Sequence, residues 1–180
     1  MTGRESDNIR QVLEANYLND GKWSDIFSAK LAQKLRSKHA VAFSSGTAAL
    51  ASALMAGGVG CGDEVLVPDV TFIATAHAVT LCGAKVVLVD VQKDDLCPDL
   101  SDYQKRVSKR TKAIMVVHVS GRGGRILEIA AWARQKGFLL VEDAAEAMGS
   151  RAGPAFLGTL GDVGCYSLSP FKTITTGQIS

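Results

Sequence analysis

The chain lacks any apolar run long enough to cross a membrane as a helix, and its first residues, Met1-Thr2-Gly3-Arg4-Glu5-Ser6-Asp7, carry no apolar signal core. The expected location is therefore cytoplasmic. An excess of either charge is also missing: 20 Lys and Arg stand against 18 Asp and Glu, a net charge of +2. Such a balance gives no footing for nucleic acid or an anionic membrane as partner. Cysteine is sparse. Cys61, Cys82, Cys97 and Cys165 form no Cys-x-x-Cys pair, and His39, His77 and His118 are scattered, so the ligand spacing of zinc sites is absent. Buried or half-buried free thiols are expected instead. There is no internal repeat and no low-complexity segment. No Gly-x-Gly-x-x-Gly follows a first strand. Gly121-Arg122-Gly123-Gly124 has the wrong spacing and follows a middle strand, which counts against a dinucleotide-binding module.

What is present is a chain of 180 residues, 47% hydrophobic and 21% charged, long enough for one sizeable core. Ile26, Phe27, Leu31 and Leu35 lie near helical spacing and predict an amphipathic helix over Asp25–Arg36. A short strand is expected over His39–Phe43, after which Ser44 to Thr47 turns the chain into a helix running to Ala56. The glycine-punctuated stretch from Gly57 to Asp63 is a turn. Further strands are expected over Glu64–Pro68, Lys85–Val91, Lys112–His118, Phe138–Glu142 and Val163–Leu168. Helices are expected over Thr71–Leu81, Leu100–Val107 and Ile126–Lys136. Val86-Val87-Leu88-Val89 and Ala113-Ile114-Met115-Val116-Val117 are apolar without alternation, as in strands covered on both faces. The expected fold class is α/β, a mostly parallel sheet flanked by helices. Sites in such sheets gather at the carboxyl ends of strands, where Thr47, His118 and Asp143 are expected.

Three features carry chemistry. Lys172 is followed by Thr173-Ile174-Thr175-Thr176-Gly177, a polar, turn-prone run. Asp143 ends an apolar strand, after Leu139-Leu140-Val141, where a carboxylate is costly without a partner. It is either held by a cationic group or is the cap of the next turn. Ser44-Ser45-Gly46-Thr47 opens a helix, whose first N–H groups lack partners and lie at the positive end of its dipole. It is either an ordinary N-cap or a phosphate site. An amine, a strand-end carboxylate and a small-residue helix start are together the contacts that pyridoxal phosphate needs.

The order and wording of these segments resemble the DegT/DnrJ/EryC1/StrS family of pyridoxal phosphate-dependent sugar aminotransferases, from about residue 10 to residue 178. The resemblance implies the large-domain core of a fold-type-I enzyme. It implies Lys172 as the Schiff-base lysine and proton shuttle, Asp143 on the pyridine nitrogen and Phe72 stacked on the ring, where the residues alone read as a core aromatic at a helix start. It further implies Gly46, Thr47 and Ser167 at the phosphate. Glu146 stands where the family usually has Gln near the ring hydroxyl, and an ionised Glu can accept but not donate. His118 falls near the site, either with a role there or as a satisfied structural histidine. Lysine rather than histidine at 172 favours amino transfer over the dehydration run by a family subgroup.

The implied reaction moves an amino group, from L-glutamate, to a keto sugar linked to a nucleotide. The implied partner is a second copy of the chain, as a homodimer. Family members are about twice as long, with a small C-terminal domain. Residues 1–180 are thus expected to be an incomplete cofactor-binding large domain with a helical arm over about residues 1–37, and to be inactive alone. After Gly177 the family continues with an acidic residue and two glycines, whereas this chain reads Gln178-Ile179-Ser180. A cofactor-binding regulator of the same fold is the alternative. The fold-type-I desulfurases and lyases are disfavoured by the Thr71-Phe72-Ile73-Ala74-Thr75 and Asp143-Ala144-Ala145-Glu146-Ala147 wording.

Overall fold

A computed structural model describes residues 3–15 and 21–176. Two compact units divide the chain, Met1–Ala42 and Phe43–Ser180. The first holds helices α1 (Glu5–Glu14) and α2 (Lys22–Leu35). Glu5 and Asp7 sit in the first turn of α1, at the positive end of its dipole. After α2, Arg36 adopts a left-handed conformation (φ 57°), and the Ser37 N–H donates back to Ala32 O at 2.9 Å. That bond closes the helix in the manner of a left-handed C-cap.

The second unit alternates helix and strand. Its elements are α3 (Gly46–Ala56), β1 (Glu64–Pro68), α4 (Ala74–Leu81), β2 (Lys85–Val89) and α5 (Leu100–Arg106). They continue with β3 (Thr111–Val117), α6 (Ile126–Lys136) and β4 (Leu139–Asp143). A two-stranded antiparallel hairpin of β5 (Arg151–Ala152) and β6 (Ala155–Phe156) follows, then β7 (Val163–Cys165). The main sheet has the order β2-β1-β3-β4-β7 with every pairing parallel. Strand order therefore reverses between β1 and β3, and the crevice at such a reversal is where α/β sheets place ligands.

Alternate strand residues serve two cores. Val65, Val67, Ala113, Met115 and Val141 pack with Leu50 and Leu54 of α3 and Val79 of α4 on one face. Leu66, Ile114, Val116 and Leu140 pack with Tyr103 of α5 and Ile126 and Ile129 of α6 on the other. That double coverage is why β1 and β3 read as unbroken apolar runs. The same expectation for Val86–Val89 is only half met: β2 is an edge strand, and Leu88 is 53% exposed.

Other boundaries differ from the sequence reading. No strand forms over His39–Phe43. Strand propensity expresses packing on a pleated, half-buried surface, and Val41, at its centre, is 72% exposed. Thr47 accordingly follows a loop, not a strand. The helix expected from Thr71 begins at Ala74, and the strand expected to Leu168 stops at Cys165. Cys97 and Cys165 are buried and Cys82 half-buried, but Cys61 is exposed in the glycine turn before β1. No helix among the described residues is long and apolar enough to cross a membrane.

Candidate active site

Helix α3 runs against β4 in the opposite direction. A side chain added at Gly57, just past the end of α3, would collide with Leu139, the first residue of β4. The 11 residues of α3 span about 16 Å, and the run from Leu139 to Asp143 about 13 Å, so the start of α3 arrives at the level of Asp143. Both α3 and α4 share a core face with Val141, and the first turn of α4 touches Asp143 directly. The first turn of α4 thus touches the strand-end carboxylate, and the length of α3 sets its start at the same edge of the sheet.

The α3 start does two things at once. Ser45 is the N-cap in extended conformation, and its hydroxyl accepts from the Ala48 N–H at 3.1 Å. The first backbone bond of the helix is Ala49 N–H to Ser45 O at 3.0 Å. Gly46 and Thr47 precede these bonds, so their N–H groups lie ahead of the capped turn, where an anion is favoured. The cap and the anion-facing terminus are therefore not alternatives; Ser45 supplies one and leaves Gly46 and Thr47 for the other.

Asp143 is 5% exposed. Its Oδ2 accepts from the Thr75 hydroxyl at 2.7 Å, and its Oδ1 from the Ala145 N–H at 3.1 Å. Thr75 is fully buried and shares a 2.7 Å hydrogen bond with the Thr71 hydroxyl. Burial pushes the Asp143 carboxyl above its ordinary value, against the pull of the Thr75 and Ala145 bonds and of the positive charge on Lys172. Cys165, paired with Asp143 across β4 and β7, is pushed up to about 12 by burial and by the Asp143 charge.

Lys172 lies in a loop pinned at both ends. Its N–H donates to Ser169 O at 3.0 Å, while the Thr176 N–H and the Thr175 hydroxyl donate to Leu168 O at 3.0 and 3.2 Å. Leu168 is buried, which anchors the loop to the core. The Lys172 Nζ reaches Glu146 Oε1 at 3.5 Å, and Glu146 Oε2 accepts from the Ser120 N–H at 2.9 Å. The Ser120 bond, followed by the Lys172 charge, holds the Glu146 carboxyl below its usual value despite partial burial. Glu146 therefore sits beside the lysine as an acceptor. Ser167 is half-buried, and its hydroxyl accepts from the Ser169 N–H at 3.4 Å.

Phe72 is 77% exposed, so it is not a core aromatic. Its carbonyl accepts from the Thr75 N–H at 3.1 Å, which puts its ring one turn from Asp143's partner. His118 is a fully partnered histidine: it is 1% exposed, with Nε2 at 2.8 Å from Glu142 Oε2 and Nδ1 at 3.0 Å from Arg122 O. Glu142 is itself fully buried. Burial raises its carboxyl, but the His118 bond and the Gly161 and Gly158 N–H groups outweigh that and hold it below its usual value.

The structure thus places Asp143, Glu146 and Lys172 in one electrostatic neighbourhood and brings the α3 start to the same sheet edge. Sequence reasoning missed Thr75 and Glu142. Thr71 and Thr75, four apart at a helix start, carried a faint signal for the first. The acid doublet Glu142-Asp143, ending an apolar strand, carried one for the second, since two carboxylates there demand two sets of partners.

The family model of the DegT/DnrJ/EryC1/StrS aminotransferase family matches residues 1–178. The chain is 35% identical over 179 residues to a GDP-perosamine synthase of Escherichia coli O157:H7, covering 99% of this chain and 49% of that protein. It is 34% identical over 176 residues to a dTDP-4-dehydro-2,3,6-trideoxy-D-glucose 4-aminotransferase of Saccharopolyspora spinosa, covering 97% and 46%. Its fold is similar to the X-ray structure of the aminotransferase from Psychrobacter cryohalolentis, with a TM-score of 0.95, 32% identity and coverage of 99% and 46%. It is also similar to the PLP-form of a putative sugar aminotransferase from Streptococcus pneumoniae, with a TM-score of 0.91, 25% identity and coverage of 99% and 50%. The chain spans about half the length of the curated relatives it matches. With a family match over nearly its whole length and the same fold throughout, the chain belongs to the DegT/DnrJ/EryC1/StrS aminotransferase family.

Proposed function

We propose that this chain is the pyridoxal phosphate-binding part of an aminotransferase that moves an amino group from L-glutamate to a keto sugar carried on a nucleotide. The observation that carries the reading is Asp143. Among the described residues, its hydrogen bonds come from two neutral groups, Thr75 and Ala145, yet it is almost wholly buried. A buried carboxylate left at that cost fits a cationic ring nitrogen as its missing partner. The rest of the donor set fits the same group: an amine in Lys172, an anion-facing helix start at Gly46 and Thr47, and an exposed aromatic in Phe72.

Pyridoxal phosphate supplies an electron sink for the carbanion left when the α-carbon of an amino acid loses its proton. Asp143 would hold the pyridine nitrogen and keep it protonated. Gly46 and Thr47, with the Ser167 hydroxyl, would hold the phosphate, and Phe72 would cover one face of the ring. Lys172 would bind the cofactor's aldehyde carbon. Once displaced by the amino donor, its amine would carry the proton away from the donor's α-carbon, a job that needs the neutral form. Glu146 keeps Nζ oriented from one side. The relatives' names, with their GDP and dTDP sugars, support the acceptor class. A cytoplasmic homodimer is part of the same reading: Phe171 (97% exposed) and Ile174 (50% exposed) flank Lys172 as apolar side chains that a second copy would cover.

The test is transfer of isotope from 15N-glutamate, with added pyridoxal phosphate, to a set of GDP- and dTDP-linked keto sugars by the full-length protein. Label appearing on the sugar is expected. Cofactor binding with no label on any acceptor would instead support the regulator.

A further inference from the structure

His118 and Glu142 take no part in the chemistry just described, yet they are among the most deeply buried polar side chains of the molecule. Their hydrogen bonds fix where a proton must be. The Arg122 carbonyl can only accept, so His118 Nδ1 carries a hydrogen. The other contact, Nε2 to Glu142 Oε2 at 2.8 Å, joins a ring nitrogen to a carboxylate oxygen and requires one proton between them. Glu142 also takes three backbone N–H groups, from Gly158 (2.8 Å), Leu160 (2.6 Å) and Gly161 (2.6 Å). A carboxylate with three backbone donors aimed at it is stabilised as the anion, so the proton belongs to Nε2.

The pair therefore ties together three segments: the turn after β3, the end of β4 and the loop before β7. It also grips Asp143 from its own main chain. The His118 N–H donates to Asp143 O at 3.0 Å, and Glu142 is the preceding residue. The Gly158 loop has no slack, since a side chain added there would collide with the Tyr166 ring, and the Tyr166 hydroxyl is bonded to Leu157 O at 2.6 Å. The sheet edge under Asp143 is thus fixed by an ion pair whose charges cancel, with its remaining bonding capacity filled by backbone.

We propose that His118 and Glu142 are positioning residues, a buried ion pair that fixes the backbone of Asp143 and so aims its carboxylate at the cofactor's ring nitrogen. The inference rests on the reading of Asp143 given under Proposed function. It adds that the aim of that carboxylate depends on two residues that touch no cofactor.

The experiment compares the full-length protein with His118→Gln, Glu142→Gln and Asp143→Asn. Affinity is measured for pyridoxal phosphate and for its 1-deaza analogue, in which carbon replaces the ring nitrogen. Asp143→Asn should lose affinity for pyridoxal phosphate but not for the analogue. Glu142→Gln and His118→Gln should show the same selective loss, roughly tenfold or more, the scale of one misaligned charge-assisted hydrogen bond. Equal losses for both ligands would overturn the positioning role and leave a general structural one. If Asp143→Asn itself fails to distinguish the ligands, the reading of Asp143 falls and this inference with it. Should the variants not fold, 15N NMR of histidine-labelled unmodified protein decides. His118 is expected to show N–H at both ring nitrogens, and a single N–H would overturn the ion pair.

Discussion

Replacing Asp143 with Asn should separate stability from function. The exchange keeps the shape, and the Asn amide can satisfy the site: Oδ1 accepts from Ala145, while Nδ2 donates to the Thr75 oxygen. The Thr75 proton then turns to Thr71, already 2.7 Å away. What is lost is the charge. Two opposite charges at hydrogen-bond distance attract by about 5 kcal/mol at an effective dielectric near 20, and a remaining neutral hydrogen bond recovers about 1 kcal/mol. The net loss is about 4 kcal/mol, and the part of it felt only in the transition state slows turnover, by about a hundredfold or more. The apo protein should respond in the opposite sense. Burial raises the Asp143 carboxyl above 3.8, so the folded chain holds that proton more tightly than the unfolded one. This contribution to stability is full below 3.8 and is lost as pH rises through the raised folded value. Once pH has risen past that folded value, the apo fold carries the burdened anion, and Asn removes it. The apo variant should therefore melt no lower than the unmodified protein above that value, and should lack the Asp143 share of any loss of melting temperature as pH rises. Stopped-flow rates of the half-reaction with glutamate, alongside apo melting curves, check both arms. A variant within tenfold of the normal rate would remove Asp143 from the mechanism. One that melts several degrees lower when apo would show that the charge is not a burden on the fold.

Other expectations follow from packing and exposure. Gly164→Ala drives a methyl into the Gly158 backbone beside the Glu142 cradle, and should cost more than about 3 kcal/mol by denaturant titration or prevent folding altogether. Ser45→Ala removes the α3 cap at Ala48 and should cost about 1 kcal/mol in the same assay, with a matching loosening of phosphate-dependent cofactor binding. In native protein at pH 8, Cys61 should react with a thiol reagent, while Cys165, buried and pushed up to about 12, should react only after unfolding. Rapid labelling of Cys165 in the folded chain would contradict the packing of β7 against β4.

Much of the scaffold was legible because local pattern and tertiary demand agree. Glu64–Pro68 and Ile126–Lys136 were read to the residue, the first as a strand after a glycine turn, the second as a helix that Gly137, with its left-handed φ of 74°, closes. Asp143 was legible as a charge at the end of an apolar strand. The failures are non-local. His39–Phe43 has strand-like composition but pairs with no strand among the described residues, and nothing local reveals that. Thr75 meets Asp143 across 68 residues, so its role appears only once α4 is laid on the sheet. The cradle of Glu142 is built from backbone N–H groups at Gly158, Leu160 and Gly161, and backbone groups leave no residue-type signature to find. The residues around Phe72 alone did not reveal its exposure, because an aromatic at a helix start more often faces the core.

The most direct test of the account is where the cofactor attaches. The full-length protein would be loaded with pyridoxal phosphate, reduced with borohydride, digested and mapped by mass spectrometry. The account predicts a pyridoxyl group on Lys172, in the loop that Leu168 anchors and Glu146 faces, and none in Lys172→Ala. Modification at a different lysine, or undiminished modification of the Lys172→Ala variant, would contradict it.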